Sequence, residues 1–73
     1  MDNSYILIIT TYADYTTYGI AYVEYDNRRP YLIETYPDIS PDPEKVQKLV
    51  DECNRKMISH RELLDAIEEF LAG

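Results

Sequence analysis

Few side chains in this sequence have the means to do chemistry: one histidine, one cysteine, an Arg-Arg pair, a stripe of carboxylates and eight tyrosines. His60 follows Ser59 at the start of a helical pattern, and no nucleophile, orienting acid and glycine-rich turn accompany it. A triad-type hydrolytic site is therefore not built. Cys53 and His60 are too small a ligand set for a structural metal, and a single cysteine closes no internal disulfide. Cys53 also falls on an apolar helical stripe, the ordinary place for a buried thiol. A redox role would need an exposed, electropositive setting, for which Arg55 and Lys56 are slender support. The reading is of a protein that is not an enzyme and needs no cofactor.

What remains is binding chemistry. Glu62, Asp65 and Glu69 are spaced i, i+3 and i+7, one stripe of a helix. Such a stripe is ordinarily a solvated face that keeps a small domain soluble, and its sharper meaning is a negative ridge that docks a basic groove. Tyr5, Tyr12, Tyr18 and Tyr22 belong to a stretch from Tyr5 to Tyr36 that holds every aromatic residue except Phe70. Tyrosine is at home in strands. It is equally a favoured interface residue, with a large apolar body and one polar tip. Arg28 and Arg29 offer guanidinium groups to a phosphate. Together with tyrosines stacking on a base between subunits, they define an alternative: an oligomeric small-molecule or nucleotide-binding protein.

These groups have to be positioned by a short list of elements. Tyr5 to Tyr12 is β-branched and aromatic, with apolar side chains on both faces, as expected for a central strand or one at a subunit interface. After the polar connection Ala13 to Thr17, the segment Tyr18 to Tyr25 reads as a second strand, with Ile20 and Tyr22 on one face and Ala21, Val23 and Tyr25 on the other. Gly19 inside it marks a bulge or a close approach. Asp26 to Pro30 is a turn by composition, and Tyr31 to Tyr36 is a third strand at an edge, since Pro30 cannot donate to a ladder. Glu34 at mid-strand guards that edge.

Pro37 to Pro43 is expected to end the sheet, with Asp42 or Ser40 capping the next helix. Val46, Leu49, Val50, Cys53 and Met57 then form an apolar stripe. Ser59 and Glu62 predict a capping box for a second helix, with Ile58 and Leu63 as a hydrophobic staple. Its buried face should be Leu63, Ile67, Phe70 and Leu71, flanked by Leu64, with Gly73 as the stop. The fold class is α+β: a three-stranded antiparallel meander followed by two helices, both packed on one sheet face, as a single domain over residues 1–73.

Charge and size narrow the partners. Fourteen acidic against seven basic side chains give a net charge of -7. That disfavours direct contact with nucleic acid or an anionic membrane, where Lys and Arg supply the affinity. A protein with a basic surface is the natural partner. The apolar run near the N-terminus is too short to span a bilayer and has no basic n-region, so the cytoplasm is the expected compartment. Two helices cover only one face of a three-stranded sheet, and the uncovered face would expose more apolar surface than soluble monomers tolerate. That face is expected to be an interface, most simply an isologous dimer.

Beyond Tyr18 the chain resembles a family of small domains of unknown function from Gram-positive spore-forming bacteria and their phages. The likeness lies in Tyr18-Gly19-Ile20, Asp38-Ile39-Ser40, the Val46/Leu49-Val50/Cys53-Asn54 run and the closing segment Leu63 to Leu71. None of these motifs is catalytic, so the resemblance implies a fold and no activity. The chain departs from the pattern at Pro30 and in its density of tyrosine. The function these observations favour is a small acidic interaction domain, an inhibitor or decoy acting on a basic nucleic-acid-binding or defence protein.

Overall fold

The computed structural model describes residues 2–73. Strands β1 (Asp2–Thr11), β2 (Thr16–Asp26) and β3 (Arg29–Ser40) form one antiparallel sheet in the order β1-β2-β3. Helix α1 (Pro43–Lys56), a 3-10 turn (His60–Glu62) and helix α2 (Leu63–Ala72) follow. The expected α+β meander with two helices is the fold observed. Alternation sets the register: Tyr5 lies opposite Tyr22 and Leu7 opposite Ile20, with Tyr36 beyond Ile20 on β3. These side chains point toward α1 and share a core with Val46, Leu49, Val50, Cys53, Leu63 and Ile67.

Local chemistry explains the connections. The β2–β3 hairpin closes on Asn27 and Arg28, both at positive φ (52° and 67°), the type I′ geometry that matches strand twist. Asp42 caps α1 by accepting the N–H groups of Glu44 and Lys45, and Pro43 occupies its first turn. Gly19 sits at a register shift, where an added Cβ would fall on the Tyr36 carbonyl and within 2.7 Å of Pro37 Cα. Only glycine lets the β3 backbone approach β2 this closely there.

Several expectations are corrected. In the order β1-β2-β3, as a simple meander implies, the doubly apolar β1 is an edge strand, which removes the central-strand alternative and leaves the subunit-interface one. The sheet does not stop at Tyr36: β3 runs on to Ser40, anchored by the Thr17 hydroxyl donating to Asp38 (2.7 Å) and to the Ser40 carbonyl (3.2 Å). Met57 leaves the apolar stripe because it takes the left-handed C-cap position of α1 (φ 53°), which turns it out to 85% exposure. The Ser59 hydroxyl accepts from the N–H of Arg61, while the Glu62 N–H donates to the Ser59 carbonyl, so a 3-10 turn replaces the capping box and α2 starts at Leu63. That shortened helix buries Leu63 and Ile67, leaves Phe70 half-buried and turns Leu71 outward, 60% exposed. No helix among the described residues is long and apolar enough to cross a membrane.

Candidate protein-interaction surface

The sheet has two unlike faces. On the helix side, aromatic rings close over one another: Tyr5 and Tyr22 tilt together at 5.3 Å, and His60 stacks on Tyr22 at 4.9 Å. On the opposite side, register groups Ser4 with Val23 and Leu32, and Ile6 with Ala21 and Thr35. These rows contain no charged side chain. Ala21 and Val23 are fully buried yet stand outside the helix-side core cluster. Leu32 is 61% exposed on this face, and Ile6 and Ile8 are half-buried. The result is an uncharged, largely apolar plate outside the core that the two helices share, with Leu32 as its most exposed member.

The tyrosines named from sequence divide between these environments. Tyr5 and Tyr22, named as interaction candidates, are buried on the helix side and not free to meet a partner, because even residues of β2 and odd residues of β1 point toward α1. Tyr5 is a structural member: its hydroxyl donates to the Ile58 carbonyl at 2.7 Å, pinning the α1–α2 connection to β1. Burial, and then the neighbouring Cys53, Tyr22 and Glu34, push its hydroxyl pKa up to about 12. The Tyr22 hydroxyl donates to Glu24 at 3.3 Å and is likewise raised, first by burial and then by Glu24. Tyr18 is half-buried against the same core. Tyr12 alone of the four is exposed, stacked on Tyr15 at 4.8 Å where the first hairpin turns.

Glu62, Asp65 and Glu69 are all exposed, and among the described residues none of them enters an ion pair. Glu62 belongs to the 3-10 turn, so the continuous helical stripe is Asp65 and Glu69 alone. Arg28 and Arg29 are exposed at the β2–β3 turn. Arg28 lines a shallow concavity with Asp2, Tyr25, Asp26 and Asn27. Two carboxylates in that lining oppose a phosphate.

Sequence reasoning missed two groups. His60 Nδ1 lies 3.4 Å from Glu34 Oε1 above the Tyr22 ring, across 26 residues of chain. Asn54 is the second: its side-chain oxygen accepts the N–H of Tyr5 (2.8 Å) while its amide donates to the Tyr5 carbonyl (2.9 Å), in the manner of a neighbouring strand. No periodicity announces either contact, since both join elements distant in sequence. Cys53 is buried, and burial raises its thiol pKa, the reverse of what a nucleophile requires. Among the described residues no three His, Cys, Asp or Glu side chains gather as a metal site.

Comparison with known proteins adds the lineage. A model for a family of unknown function (DUF6514) matches residues 1–73. The chain belongs to this family. No curated protein and no solved structure matches it. Membership in DUF6514 thus carries a family relationship over the whole chain, with no activity attached to it.

Proposed function

We propose that this protein is a small, non-enzymatic protein-interaction domain of the cytoplasm that works as a homodimer. It presents the uncovered sheet face to a partner protein with basic groups. One observation carries the reading: the uncharged apolar plate outside the helix-side core, whose accessible members are Ile6, Ile8 and Leu32 around the buried Ala21 and Val23. Burying such surface contributes about 25 cal/mol per Å², and plates of this kind mark binding sites in soluble proteins.

The sign of the partner follows from charge. A net charge of -7, with Glu62, Asp65 and Glu69 exposed, steers association toward cationic surfaces and away from nucleic acid or anionic lipid. Size, acidity and an apolar plate fit an inhibitor or decoy that occupies a nucleic-acid-binding or defence protein. The nucleotide reading is disfavoured by Asp2 and Asp26 beside Arg28. A flat melting response across a nucleotide panel is expected.

Affinity capture from the native host tests the proposal. The partner retained by the wild type is expected to be lost with Leu32→Arg, and to weaken with salt and with charge reversal at Glu62, Asp65 and Glu69. A partner that Leu32→Arg still holds would remove the plate from the mechanism. One that survives both the triple reversal and high salt would remove the acidic side chains from it.

A further inference from the structure

The outward edge of β1 is unfinished, and its pattern is self-complementary. Because Asn54 takes both backbone groups of Tyr5, the odd residues of β1 direct their N–H and C=O away from β2. The hairpin agrees: the Tyr12 N–H donates to the Tyr15 carbonyl at 2.8 Å, so the even residues point inward. Leu7, Ile9 and Thr11 consequently aim their backbone groups away from β2, and among the described residues no group hydrogen-bonds to them.

Nothing on this edge deters pairing. From Asn3 through Ala13 the sequence has no charge and no proline, in a chain of which 29% is charged. Ile9, at the middle of the open stretch, is 64% exposed, an apolar side chain that a neighbouring strand would cover. Tyr5 is already occupied by Asn54, so the open stretch has a defined end.

We propose that β1 pairs antiparallel with β1 of a second copy about a two-fold axis at Ile9. Ile9 then faces Ile9 of the other copy, and Leu7 and Thr11 face each other across the seam. Every outward N–H and C=O of these residues gains a partner in this register and in no other two-fold one. Two three-stranded sheets become one continuous sheet, and the two apolar plates merge on one side of it. The net charge of -7 opposes general self-association, so an uncharged seam is the place where two copies can meet. This rests on the homodimer part of the proposed function and not on the partner or the plate.

Amide hydrogen exchange of the wild-type protein at low and high micromolar concentration, with sedimentation in parallel, tests it without any substitution. The amides of Leu7, Ile9 and Thr11 are expected to exchange at least tenfold more slowly when the protein is concentrated, in step with dimer formation. Ile9→Cys is expected to cross-link to itself under oxidised glutathione, since facing Cα atoms lie about 5.5 Å apart and disulfides span roughly 4.4–6.8 Å. Leu7→Cys, facing Thr11, is not. A monomer at high concentration overturns both seam and dimer while leaving the plate to be judged by Leu32→Arg. A dimer whose three amides still exchange rapidly overturns the seam alone. Protection already present in the dilute monomer also overturns it, because the edge would then be covered within the chain.

Discussion

The two edges of this sheet are built on opposite principles. β3 has Arg29, Pro30, Glu34, Pro37 and Asp38 along its length and two register shifts against β2. Prolines remove donors, charges resist desolvation and bulges twist the strand out of line, so a passing strand finds no regular ladder there. β1 has none of these devices between Asn3 and Thr11, and its closure is confined to the Asn54 clamp at Tyr5. A chain this small buries only about 60% of its unfolded surface. Guarding one edge while leaving the other regular would confine any strand pairing to one side.

The guarded edge depends most on Gly19. Gly19→Ala would drive a methyl group into the Tyr36 carbonyl and Pro37, backbone atoms that cannot swing aside. A loss of about 3 kcal/mol is expected, measured by urea denaturation, with β3 the first strand to lose exchange protection. The open edge depends on Asn54. Asn54→Ala leaves two backbone groups of Tyr5 without their partner, at an expected cost of about 2 kcal/mol. It should also hasten exchange of the Tyr5 amide, lengthening the open stretch by one pair.

Tyr5→Phe is the smaller change beside it. Losing the bond to the Ile58 carbonyl is expected to cost about 1 kcal/mol. The sign of its pH dependence is fixed. The folded state holds the hydroxyl proton to about pH 12, whereas an unfolded tyrosine releases it near pH 10. The folded protein therefore binds the extra proton in that window, so this contribution is complete below about pH 10 and falls as pH rises toward 12. Alkaline melting of Tyr5→Phe should be flatter than that of the wild type across the same window.

Much of this architecture was legible in the residues. The β-branched and tyrosine-rich runs, the turn at Asp26 to Pro30 and the period of Val46, Leu49, Val50 and Cys53 dictate a meander followed by a helix, because alternation and helical period are local signals. Gly19 announced its close approach for the same reason. What stayed hidden is what depends on distant groups. Tyr5 and Tyr22 carry nothing that distinguishes a core tyrosine from an exposed one, and only the register places them under the helices. Leu71 and Met57 fit apolar stripes on paper but lie past the point where their helices touch the core. The apolar plate was legible as a surplus of hydrophobic residues. The open edge was not, since it turns on which backbone groups Asn54 occupies.

The central claim is that the two edges are not equivalent, and sedimentation equilibrium of two matched exposed-edge substitutions tests it most directly. Ile9 on β1 and Ile33 on β3 are both exposed, so lysine at either position is compatible with the fold. Ile9→Lys is expected to raise the dimer dissociation constant at least tenfold, while Ile33→Lys associates as the wild type does. Dissociation by Ile33→Lys with Ile9→Lys unaffected, or equal behaviour of the two, would contradict the account.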